Sequence, residues 1–145
     1  MGRSKGGLTT KIHVAALSPS RVAAVALSPG QRGDLPLVPE LWEQAEQKGR
    51  IRSFTADRAY DSNAMRDDLA LAGVKCVIPP KCCRRIKPAF SKMLYRRRHK
   101  VENWFRRIQD FRRVATRYDK LACMFMAFVH VTAAVIAVRD LVNTP

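Results

Sequence analysis

The chain has 145 residues, the size of one ordinary domain, and 47% of them are hydrophobic, which is enough to bury a core and excludes a disordered tail. Lys and Arg number 27 against 12 Asp and Glu, a formal net charge of +15 with a pI near 10.6. That excess excludes an acidic solvating protein and makes a polyanion, nucleic acid first, the expected partner.

In chain order, residues 1–7 are basic and glycine-rich and read as a loop. Residues 8–17 and 21–27 mix alternation with β-branched residues around Ser18-Pro19-Ser20, the pattern of a β-hairpin. The same Pro19, with Arg21, breaks the first apolar stretch, so no secretory signal forms. Residues 36–48 carry Leu37, Leu41, Trp42 and Ala45 at helical spacing and stop at Gly49. A short strand is expected over 51–56, ending at Asp57. A helix opened by Asp61-Ser62 then runs to Ala72 and stops at Gly73. Residues 74–78 read as a strand halted by Pro79-Pro80, and 81–93 as a basic loop. A helix is expected from 94 to about 111, and an apolar one over 121–141. The order β-β-α-β-α-β-α-α indicates a mixed sheet flanked by helices, an α/β fold in one domain over 1–145.

Residues 121–138 carry no formal charge and approach the length of a bilayer span. Their Ala content and the central His130 and Thr132 favour a helix buried in a soluble core, with no membrane partner. Cys76, Cys82, Cys83 and Cys123 are too irregularly spaced for a disulfide framework and read as reduced thiols of a cytoplasmic protein. Adjacent cysteines also lack the spacing that suits a zinc knuckle with His99. His13 and His130, in apolar segments, read as core histidines.

The positive charge is concentrated. Between residues 81 and 120 there are 15 Lys or Arg, opposed by only Glu102, Asp110 and Asp119. Such a face suits phosphate contacts whose affinity comes from counterion release. The expected DNA contacts are Tyr95, Arg96, Arg97, Arg98, Lys100, Arg106, Arg107, Arg112 and Arg113. The neighbouring Val101, Trp104, Phe105, Ile108 and Phe111 form a helical stripe, so these aromatics read as core rather than as a base-stacking platform.

Chemistry on phosphodiesters needs carboxylates inside such a groove. Asp57 stands at the C-terminal end of an expected strand, where open α/β sheets place ligands. Glu102 could be no more than a helix partner for Arg98 and Arg106. Tyr95, Arg98 and Glu102 nevertheless share one helix face flanking the apolar stripe, from which Glu102 can point toward Asp57.

These residues resemble a family. Tyr95-x2-Arg98-x3-Glu102 is similar to the Y-(2)-R-(3)-E motif of DDE-type bacterial insertion-sequence transposases, and Ala56 to Ser62 (ADRAYDS) resembles that group's motif around its second catalytic Asp. GRSKGGLTTKIH at 2–13, VIPPK at 77–81 and RRVATRYDKLA at 112–122 resemble further stretches of it. The resemblance implies a ribonuclease-H-like fold, metal-dependent DNA cleavage and strand transfer, and Asp57 and Glu102 as second and third metal ligands for two Mg2+ ions, with Mn2+ able to substitute. It implies DNA as partner, a homo-oligomeric active complex, and a bacterial cytoplasmic, nucleoid-associated location. Two departures stand out. Gln109 occupies the family's usual Lys position, and residues 1–33 hold no acid at all where the first catalytic Asp lies upstream. The expectation is therefore the C-terminal part of a catalytic domain lacking its first strand, inactive alone, as a truncated copy or the second frame of a split enzyme joined by an upstream polypeptide. Its rivals are a DNA-binding remnant without catalysis and a membrane-anchored basic protein.

Overall fold

The computed structural model describes residues 2–4, 7–18, 21–117 and 119–143, with backbone alone for 2–4, 7 and 8. The expected hairpin turn at Pro19-Ser20 and Tyr118 of the RRVATRYDKLA stretch lie outside the described residues.

Strands β1 (Gly2–Ser4), β2 (Gly7–Ala16) and β3 (Val22–Pro29) form an antiparallel sheet in the order β1-β2-β3. The basic start of the chain, expected as loop, thus includes a short strand, which pairs with Gly7 to Thr9 of β2. β2 and β3 pair from Thr10↔Pro29 to Ala16↔Val22, with a register shift at Ala15/Ala16. Gly30 follows because the sheet comes too close for a side chain. Its N–H donates to the Thr9 carbonyl at 3.2 Å, and an added Cβ would stand 1.9 Å from Thr9 Oγ1.

Helix α1 (Val38–Glu46) opens with Pro39 in its first turn, where a missing N–H costs nothing. The chain then reverses at Gly49, whose φ of +143° favours glycine. β4 (Ser53–Thr55) and β5 (Lys75–Val77) pair in parallel as a separate two-stranded sheet. Their crossover holds a 3-10 turn (Arg58–Tyr60) and α2 (Asn63–Leu71), whose first turn is capped by Ser62 Oγ accepting the Met65 N–H.

The expected helix over 94–111 is segmented. α3 (Lys92–Tyr95), started by Ser91, passes through a 3-10 turn (Arg96–Arg98) into α4 (His99–Gln109), and α5 (Arg112–Thr116) and α6 (Ala122–Asn143) follow. The stripe on α4 is core, as its period demands: Trp104 and Ile108 pack with Val114, Phe125, Val129, Ile136 and Val25, while Phe105 and Phe111 lean on the same cluster. A second cluster joins Ala56, Leu69, Val74 and Ile78 under the smaller sheet.

Three expectations need correction. The single mixed sheet is two sheets, because β2 and β4 stand across a cavity instead of pairing. α6 is buried on one face only: Phe125, Val129 and Ile136 are buried, whereas Met124, Val131, Val138 and Leu141 are exposed. By length and mean hydropathy (1.9) it could also cross a membrane. His130 lies on its exposed side, whereas His13 is a core histidine whose Nε2 meets Ser28 Oγ at 2.8 Å. Burial holds its imidazole below the usual histidine range.

Candidate functional site

A cavity of about 520 Å3 lies between the two sheets. Residues 11–17 of and after β2 line it consecutively, and so do residues 53–57 at β4. Neighbouring strand residues face opposite sides of a sheet, so consecutive lining means that each strand presents its edge. The hydrogen bonds agree. The Thr9 carbonyl faces β3, so by alternation Thr10, Ile12 and Val14 direct their N–H and C=O groups away from it. The Arg52 carbonyl accepts from the Lys75 N–H, so Ser53 and Thr55 face away from β5.

Asp57 and Glu102 line this one cavity, together with Asp34, Tyr60 and Arg98. Asp57 arrives there because β4 ends and a 3-10 turn begins, and its Oδ1 accepts the Ala59 N–H at 2.9 Å. Glu102 arrives on the first turn of α4, where it accepts a hydrogen bond from the Arg98 guanidinium. Arg98 lies 5.8 Å from the centre of the Tyr95 ring, so the Tyr95, Arg98 and Glu102 face is a contiguous cluster. Asp34, in a stretch with no assigned role, joins the cavity wall and pairs with Lys11 at 2.9 Å. Burial and the charges of Asp34 and Asp57 push the Tyr60 phenol up to about 12, so it stays protonated beside them.

The residues present do not by themselves make a divalent-metal centre. Among the described residues no three His, Cys, Asp or Glu side chains stand close enough to share an ion. Asp57 and Glu102 supply oxygen donors of the kind Mg2+ prefers, but too few for a pair of ions.

The expected DNA contacts divide. Arg96, Arg97, Arg106 and Arg112 are exposed. Lys100 is half-buried, with Nζ 3.5 Å from the Leu17 carbonyl. Two are committed elsewhere. Arg107 makes a two-pronged ion pair with Asp140 of α6, one prong at 2.7 Å, and Arg113 lies 4.0 Å from the centre of the Phe128 ring, with Asp119 at 3.7 Å. These contacts fasten α4 and α5 to α6, a structural role that the expectation of DNA contacts did not include. Tyr95 packs edge-on against Phe90.

A carboxylate that sequence reading treated only as a helix opener is a structural hub. Asp61 is buried; its Oδ1 accepts from Arg66 at 2.8 Å, and its Oδ2 accepts from Arg84 and from the Lys81 N–H, each at 2.7 Å. Burial alone would raise this carboxyl, but the three donors outweigh it and hold it well below the usual carboxylate range. Arg66 also donates to the Ile78 carbonyl, so the cluster ties α2 to the Pro79-Pro80 loop. The signal available in the sequence was the ADRAYDS motif itself, which carries two aspartates.

The comparisons with known proteins show the family. The family model for the transposase DDE domain matches residues 2–136. A Brucella ovis protein named as a transposase for insertion sequence element IS6501 is 31% identical over 134 residues, 91% of this chain and all of that protein. No solved structure matches the chain. With nearly its whole length covered by that family model, the chain belongs to the DDE-domain transposases of insertion sequences.

Proposed function

We propose that this chain carries the DNA-cutting and DNA-joining site of an insertion-sequence transposase, with Asp57 and Glu102 as two of its essential carboxylates. The observation that supports this best is their convergence: residues far apart in sequence line one cavity, in a chain whose net charge is +15. Such a site would place a phosphodiester between the carboxylates and Arg98, for attack by water at an element end and by the freed 3′-hydroxyl on target DNA. A third carboxylate is required before two Mg2+ ions can be held. We assign it to an extended segment, from a longer chain or an upstream-frame polypeptide, lying between β2 and β4 in a ribonuclease-H-like sheet. The two unpaired strand edges that face the cavity support that placement.

The reading as a DNA-binding protein without catalysis has one observation in its favour. Both carboxylates already have partners, Asp57 in the Ala59 N–H and Glu102 in Arg98. A nicking assay on element-end DNA separates the two. Residues 1–145 alone should bind duplex but not nick it in Mg2+ or Mn2+. Supplying the upstream segment should produce metal-dependent nicking that Asp57→Ala or Glu102→Ala abolishes while DNA binding stays nearly intact. Robust cleavage by residues 1–145 alone that survives Glu102→Ala would overturn the assignment, and absence of nicking with the upstream segment present would favour the non-catalytic reading.

A further inference from the structure

A second cleft, of about 420 Å3, opens beside the carboxylate cavity and shares with it Leu17, Ser53, Thr55, Arg98 and Val101. Six cations line it and no acid does: Lys48, Arg50 and Arg52 from the segment between α1 and β4, Arg97 and Arg98 from the turn before α4, and Lys100 from the first turn of α4. The first three lie outside the basic stretch that sequence analysis singled out. They converge with it because the reversal at Gly49 brings the 48–52 segment to the mouth of the cavity. Lys48, Arg50, Arg52 and Arg97 are exposed, and none of them has an ion-pair partner among the described residues. Elsewhere the structure does neutralise cations that carry structural work, as in the pairing of Arg66 and Arg84 with Asp61 and of Arg107 with Asp140.

Six like charges facing one cleft repel one another, and a polyanion threaded between them relieves that repulsion. From this we infer that the cleft binds the sugar–phosphate backbone of the DNA strand that enters the carboxylate cavity, and that Lys48, Arg50 and Arg52 are phosphate contacts of this protein. The inference rests on the proposed function, since it names the path by which DNA reaches Asp57 and Glu102. Two cations of the cleft, Arg97 and Arg98, stand on the turn that delivers α4, so the strand they hold is delivered beside Glu102. The contacts are to phosphate and carry no base readout, so the path is indifferent to sequence.

The test is equilibrium binding of a labelled blunt-ended duplex of random sequence, titrated with salt. Replacing Lys48, Arg50 and Arg52 together by Gln should weaken binding at least about tenfold and lower the salt slope by about 2 to 3, one phosphate per side chain. A matched variant with the exposed Arg32, Lys75 and Arg139 replaced by Gln removes the same net charge outside both the cleft and the 81–120 basic stretch and should leave the slope within about one of the parent. The charge-keeping set Lys48→Arg, Arg50→Lys and Arg52→Lys should retain the parent slope. Equal losses in the two Gln variants, or no loss in the cleft variant, would overturn the inference while leaving the DNA-binding reading intact. A parent chain that shows no salt-dependent binding would instead sink the proposed function itself.

Discussion

Asp61 and Glu102 are both carboxylates facing arginine, yet they occupy opposite environments. Asp61 is enclosed, and its contacts with Arg66, Arg84 and the Lys81 N–H hold the 79–84 loop against α2. Glu102 has a side chain half open to solvent, one arginine partner and a cavity in front of it. A buried carboxylate enclosed by three donors is closed to ligands by its surroundings and stabilises the fold; an accessible one beside a cavity can exchange its partner for substrate or metal. The family motif ADRAYDS holds one carboxylate of each kind four residues apart: Asp57 faces the cavity, and Asp61 faces inward.

The strongest way to break this contrast is Asp61→Ala. It leaves two buried-side arginines and the Lys81 N–H without their acceptor, and a loss of about 3 kcal/mol or more in chemical denaturation is expected. A loss below about 1 kcal/mol would show that Asp61 is not the hub described here. Acid should act on the same group. Its folded-state carboxyl titrates below the unfolded value, so its contribution is complete above about pH 4 and is lost as pH falls toward the folded value. A melting-temperature profile should therefore drop below about pH 4 in the parent and flatten in Asp61→Asn.

Smaller effects sharpen the other side of the comparison. Arg107→Ala should cost about 1 kcal/mol, because its two-pronged pair with Asp140 is only part-buried but joins α4 to α6. Glu102→Gln should change stability by no more than about 0.5 kcal/mol, the size of an exposed i, i+4 pair, although under the proposed function it should abolish nicking. If Glu102→Gln destabilised the fold as much as Asp61→Ala, Glu102 would be structural and the proposed site would keep only Asp57 of its two carboxylates.

Much of the molecule was legible residue by residue. The Ser62 cap, the stop at Gly73 and the apolar stripe of α4 are local patterns, decided within one or two turns, and each appears where expected. The motifs around Asp57 and Glu102 led to the family, and the helix face of Tyr95, Arg98 and Glu102 followed from its spacing. Short strands were the weaker part: β1 reads as loop because three residues carry no period, and its strand character comes only from the ladder with β2.

What tertiary structure alone decided is the allotment of charge. By composition Arg107 and Arg97 are the same residue, and only the approach of Asp140, on another helix, makes the first a fastening and leaves the second exposed. Asp61 finds Arg84 and Lys81 across the crossover, and Lys48 and Arg52 meet Arg98 and Lys100 only because the chain turns back at Gly49. Spacing along a helix or strand acts over a few residues and can be read from the sequence. The pairing of one charge with another depends on distances that only the packed chain sets, and with 27 cations against 12 acids most basic residues could not be assigned a partner in advance.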